Sequence, residues 1–195
     1  MIEKVTTLAV PPYRVTALPL APVDGQMVVL TDSVASATYN WWLVYNAASG
    51  SAYKWEFIGG TPKVASNYGS ADAQTTAGTW QVLTNSPSCS VPNAGDYWVR
   101  AFEGLTNNTG IANSAYMGVC VNSVVATRAA EPGTNFAGTG VVDSNLYLHE
   151  PRTLAAGNTL NMCHFLSSAG GTGMTRGGTS GVRGRGIEVV PRRLG

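Results

Sequence analysis

Charge is the scarcest commodity in this sequence. Asp, Glu, Lys and Arg make up 12% of its 195 residues, about half of the roughly 25% usual in soluble domains. A lone soluble domain shows water far more charge than this. Much of the surface is therefore expected to be neutral polar or covered by partner subunits. The net charge of +1 excludes a strong global field, and with it bulk attraction to nucleic acid or to an anionic membrane. No stretch approaches the roughly 18 apolar residues that cross a bilayer. Residues 1–10 carry one lysine and no long apolar run, so no signal peptide is expected and the chain is expected to stay unsecreted, or to leave the cell only by lysis.

Cysteine is sparse as well. Cys89, Cys120 and Cys163 are widely spaced, with no Cys-x-x-Cys. An odd count at such spacing argues against a disulfide framework and a zinc site. The expectation is three buried, small apolar side chains in a protein that folds in a reducing cytoplasm.

No catalytic constellation can be assembled. The two histidines are His149 and His164. His149 precedes Glu150, and neighbours on a strand face opposite ways. The same argument separates Cys163 from His164, which lies in an apolar run and reads as a satisfied core or interface residue. Asp24, Asp32, Asp72, Asp96, Asp143 and Glu188 are scattered singly, mostly at turns, with no spacing that suggests a glycosidase pair or a calcium loop. A phosphate-binding Gly-x-x-x-x-Gly-Lys and a Gly-x-Ser-x-Gly elbow are both missing. The chain is thus expected to be no enzyme and to carry no metal or cofactor.

What is present is β structure. Apolar residues reach 44% and glycine 23 residues, while no long window shows a 3.6-residue repeat. Short β-prone runs at 80–83, 89–91, 97–102, 116–121, 124–127, 146–148, 159–166 and 187–190 are separated by turn chemistry such as Pro92-Asn93-Ala94-Gly95-Asp96 and Ala155-Ala156-Gly157-Asn158. Residues 124–130 offer a short helix as an alternative. The expected class is all-β, an extended arm and a small hairpin unit followed by an antiparallel jelly-roll sandwich.

Three regions divide the chain. Residues 1–26 form the arm: Pro11, Pro12, Pro19 and Pro22 forbid a helix, while Tyr13, Leu18 and Leu20 give it an apolar character that must lie along a neighbour or the body itself. Residues 27–62 read as an aromatic-rich unit, with a hairpin of Tyr39 to Tyr45 and Tyr53 to Ile58. Tyr53, Trp55 and Phe57 alternate with Lys54 and Glu56, which puts the three rings on one face. Residues 63–195 are the jelly roll. Within it, the stretch from Ser167 to Gly186 is dense in glycine and reads as a flexible loop. Arg176, Arg183 and Arg185 in that loop either hold a phosphate or single-stranded nucleic acid, or pair with acids on a neighbouring subunit. The second reading is preferred. Trp41 and Trp42 must point one ring to each face of a strand, so one of them is expected to meet the arm, a partner or a ligand such as a glycan. Asn107 and Asn108, in what reads as a polar loop from Leu105 to Asn113, are the further candidate contacts.

Two groups of phrases carry a resemblance. The first is Leu18-Pro19-Leu20-Ala21-Pro22-Val23-Asp24-Gly25-Gln26, followed by Tyr45-Asn46-Ala47-Ala48-Ser49 and Ser51-Ala52-Tyr53-Lys54-Trp55-Glu56-Phe57-Ile58-Gly59-Gly60. The second is Ser90-Val91-Pro92-Asn93-Ala94-Gly95-Asp96-Tyr97-Trp98-Val99 with a closing Glu188-Val189-Val190-Pro191. Over residues 15–195 the chain resembles virion surface proteins of tailed phages that infect actinobacteria, described as minor tail proteins, head fibres or decoration proteins. Its second half is similar to the trimeric jelly roll shared with tumour-necrosis-factor-like domains. The resemblance implies a homotrimer on a particle surface, made in the host bacterial cytoplasm. Its partner is then the major capsid protein or, alternatively, tail and baseplate proteins with a host glycan. The lack of a coiled-coil or collagen-like shaft favours a compact knob over a long fibre.

Overall fold

In the computed structural model, residues 13–67, 72–74, 78–82, 85–107, 113–124, 133–136, 142–166, 174–176 and 184–195 are described. They are all-β, with fifteen strands and no helix among the described residues. In chain order these are β1 (Tyr13–Val15), β2 (Met27–Thr31), β3 (Asn40–Tyr45), β4 (Trp55–Thr61), β5 (Lys63–Asn67), β6 (Asp72–Gln74), β7 (Gln81–Val82), β8 (Ser88–Ser90), β9 (Gly95–Asn107), β10 (Asn113–Val121), β11 (Gly133–Phe136), β12 (Val142–Leu154), β13 (Thr159–Leu166), β14 (Met174–Arg176) and β15 (Arg185–Leu194).

The central pairings are nested. β10 pairs β11, β9 pairs β12, β8 pairs β13 and β5 pairs β15, all antiparallel. A chain doubled back on itself in this way, with successive pairs laid into alternate sheets, is a jelly roll. β15 also pairs β9, and β13 also pairs β10. One sheet therefore runs β5–β15–β9–β12 and the other β8–β13–β10–β11. The expected sandwich is present.

The meander β2–β3–β4 extends the larger sheet. β4 takes up β15 at Arg193 and Leu194, just past the stretch that β5 uses, Arg185 to Val189. Pro191 lies in the gap between these two partners, where the register slips, a place where its missing N–H costs no ladder bond. β1 closes the far edge, parallel to β2. Val28, Leu30, Trp41, Leu43 and Trp55 of the meander share one continuous core with Val99, Ala101, Met117, Leu160, Ile187 and Val189 of the sandwich.

Several local expectations change. β12 extends well beyond 146–148 and passes through Pro151. Among the described residues it pairs with β9 alone, so as an edge strand it tolerates a proline whose missing N–H faces away from the ladder. Of residues 124–130, read as a β run with a short helix as the alternative, only Val124 is described, in a bridge with Val121. The glycine-rich stretch contains β14 and the start of β15; residues 167–173 and 177–183 lie outside the described ones.

The cysteine expectation is overturned. Cys120 and Cys163 form a disulfide with their Cα atoms 5.7 Å apart, and only Cys89 is free. The cause is register. β10 and β13 pair so that Gly118 faces Cys163 and Cys120 faces Asn161, which leaves the two sulfurs on one face of adjacent strands. Cys89 points into the core from β8, and burial pushes its thiol above the ordinary range despite the nearby Lys63 ammonium.

Candidate assembly surface

Strand alternation gives the larger sheet an inward and an outward face. On β9, Tyr97, Val99 and Ala101 point inward and are buried, so Trp98, Arg100 and Phe102 point outward. Register lays Tyr147, His149 and Pro151 of β12 beside them on one side, and Gly186, Glu188 and Val190 of β15 on the other. Val64 of β5 follows, opposite Glu188.

This outward face is largely aromatic and apolar. Tyr147 is 59% exposed and Val64 52% exposed. The Trp98 indole is packed against the His149 ring at 4.8 Å, and the Arg192 guanidinium lies over it at 4.9 Å. Arg100 Nη1 donates to Glu188 Oε1 at 2.8 Å. Gly186 is required here, because a Cβ at that position would sit 2.6 Å from the Phe102 ring, which lies across it. Arg100 is thus paired with a carboxylate and Arg192 with a ring, which lowers the cost of covering them.

The meander continues the same face. Trp41 is fully buried, 4.2 Å from the Tyr39 ring and 6.1 Å from the Tyr97 ring, whereas Trp42 is 44% exposed. The split expected for this pair is what the strand delivers. Trp42 faces Val29 on one neighbour and Gly59 on the other. With Met27 and Ile58, both exposed, it forms a second apolar patch. Glu56 separates it from the first, accepting from Asn46 Nδ2 at 3.2 Å and lying 3.8 Å from Arg193 Nε. Asp32 supports the β2–β3 connection. Desolvation pulls its carboxyl upward, but the Thr38 hydroxyl and amide donate to it and hold it below the usual range.

The described part of the predicted arm is held to the body at Tyr13. Tyr13 belongs to β1 and its hydroxyl accepts from Gln26 Nε2 at 2.9 Å. Leu18 packs on the core and Pro19 is half-buried. Leu20 is fully exposed. Pro11 and Pro12 lie outside the described residues.

The remaining candidates scatter. Asn107 is not in a loop: it ends β9, opposite both Val142 and Met174. Asn108 and Arg183 lie outside the described residues. Arg176 is in β14, paired with Leu105. Arg185 contradicts its assignment to an exposed basic loop. It opens β15 directly opposite Glu103, on the inward face, and is fully buried. Glycine on both sides obscured the strand in the sequence. Sequence reasoning also missed the outward face itself, since Tyr147 and Val64 stand far from Trp98 in the chain and meet only through strand order.

No family model and no curated protein matches this chain. Among solved structures it is similar to the globular domain of zebrafish complement 1qA protein, at 9% identity and a TM-score of 0.39, over 68% of this chain and 98% of that one. A similarity of that size carries no functional inference.

Proposed function

We propose that this chain is a non-enzymatic structural component of a phage particle. In this reading it is a homotrimeric appendage on the capsid surface, a decoration or head-fibre protein that stabilises the shell or aids adhesion. The observation that supports it best is the outward face of the larger sheet. Exposed aromatic and apolar side chains around a paired Arg100 and Glu188 suit burial against copies of the same chain. The low charge of the whole sequence agrees, and the resemblance to phage surface proteins supplies the setting. The exposed Leu20 and the prolines around it supply the grip on the particle. A disulfide in the smaller sheet suits a working life outside the reducing cytoplasm in which the chain is made.

Trp42 favours a second reading, a minor tail or baseplate protein that stacks a host glycan on that indole. Labelling the protein in intact particles separates the two. Label on heads supports the capsid reading, and label on tails replaces it with the second. Particles without label at either place overturn both.

A further inference from the structure

The disulfide lies on the side of the smaller sheet that faces away from the core. Met117 and Val119 of β10 and Leu160 and Met162 of β13 point into the shared core, so alternation turns Cys120 and Cys163 the other way. Neither cysteine belongs to the core cluster, although both are covered, at 1% and 2% exposure. The two strands are also held in register without the sulfurs. β10 and β13 pair from Ala115 to Val121 with no slip. Just beyond, the Asn122 amide donates to the Thr159 carbonyl at 2.7 Å, and Asn122 Oδ1 accepts from the Thr159 amide at 2.8 Å.

We propose that Cys120 and Cys163 are a redox latch: the sandwich folds as the dithiol, and the bond closes afterwards, in the folded sheet, when the chain meets an oxidising medium. This goes beyond the particle reading and does not depend on it. Core packing and register are complete without the bond, and they hold the two Cα atoms 5.7 Å apart, within the span that a disulfide bridges. Gly118, opposite Cys163, puts no side chain beside the link.

The oxidant fitted to this step is a low-molecular-weight disulfide such as oxidised glutathione. One cysteine thiolate attacks it and releases a first glutathione thiol. The other cysteine then attacks the mixed disulfide and releases the second. The chain loses two electrons and two protons, and the two glutathione thiols carry them away. Cys89 does not compete. It points into the core from the other face of the same sheet, opposite Leu160, and burial keeps it as the unreactive thiol. Exchange is slow by construction. Both sulfurs are covered, so it needs the end of β10 to part from β13, and Cys120 stands next to the last residue of β10. Closing the latch restricts the unfolded chain and leaves the folded one as it was.

The test starts from the unmodified full chain with its three cysteines reduced. Its near-ultraviolet circular dichroism should match that of the oxidised chain. Oxidised glutathione, added in native buffer, should take the thiols that can be alkylated after denaturation from three to one. The folding equilibrium constant from denaturant titration should then rise by about a hundredfold. Cys120→Ala with Cys163→Ala should behave as the reduced chain does, with or without reductant. A reduced chain that lacks the native signal overturns the proposal, because the bond would then direct folding. So does a folded reduced chain that keeps all its thiols in oxidised glutathione, or one equally stable in both states. Should the double variant fail to fold, the two forms of the unmodified chain decide. Any of these failures leaves the particle reading standing, since labelled particles test that separately.

Discussion

Arg100 and Glu188 sit on neighbouring strands with 2.8 Å between Nη1 and Oε1, in the middle of the outward face that carries Trp98 and Tyr147. Both side chains are partly open to water, where such a pair contributes less than about 1 kcal/mol. Its significance lies in what happens when the face is covered, because an unpaired charge there opposes docking.

Glu188→Lys should therefore weaken self-association by at least tenfold while changing the stability of the single chain by less than about 1 kcal/mol. The double swap Arg100→Glu with Glu188→Arg should restore it. Light scattering over a concentration series measures both. A Glu188→Lys protein that assembles like the parent removes this face from the interface.

Tyr147→Lys and Val64→Asp probe the same face without touching the pair. Each puts a charge on an exposed apolar site, so each should leave the unfolding midpoint nearly unchanged and shift the mass toward that of one chain. Loss of stability in place of loss of assembly would assign these residues to packing within the chain.

The two tryptophans should part company in the same way. Trp41 is fully buried against Tyr39 and Tyr97, and Trp41→Ala should cost about 3–5 kcal/mol of folding stability. Trp42→Ala should cost less than about 1 kcal/mol, since its ring is half in water already. If Trp42 holds a glycan or a scaffold, the second variant alone loses that binding. Denaturant unfolding and a binding assay on host cell wall read the two effects separately.

This contrast also marks how far the sequence reaches. Alternation along one strand is a local rule, so the opposed faces of Trp41 and Trp42 and the all-β class were legible from residue order. Register between distant strands is not local. Nothing in the chain near Cys120 or Cys163 says that β10 and β13 will pair with Gly118 beside Cys163, and the odd cysteine count pointed the other way. Arg185 was hidden by its glycines, which mark a loop by composition although the strand begins there. Gly186 is a glycine because Phe102 lies across it, a reason that exists only in the folded sheet.

The disulfide gives a further measurable expectation. Cross-linking across a sequence separation of 43 residues restricts the unfolded chain enough to contribute about 3–4 kcal/mol. Cys120→Ala with Cys163→Ala should lower unfolding stability by up to that amount, whereas Cys89→Ala acts only through core packing. Alkylation of the unfolded, unreduced protein followed by mass measurement should find one modified thiol. Three modified thiols would return the chain to the reduced form expected from composition.

Alkali supplies the last test, through Tyr39 and Tyr97. Burial, reinforced by the Asp32 carboxylate, raises the Tyr39 hydroxyl to about 12. Burial raises Tyr97 as well, and its hydroxyl donates to the Asn93 carbonyl at 2.6 Å. Unfolded, both lose their protons near pH ~10. Above that value the unfolded chain holds fewer protons than the folded one, so stability is complete below pH 10 and falls as pH rises, by up to about 1.4 kcal/mol per pH unit for each group. Denaturant titrations between pH 9 and 12 should show this decline, and Tyr39→Phe should reduce its slope by about the share of one proton. The ultraviolet signal of the last phenolates should coincide with unfolding. Phenolates that all appear while the near-ultraviolet circular dichroism stays native would mean that these two rings are not sealed in the core.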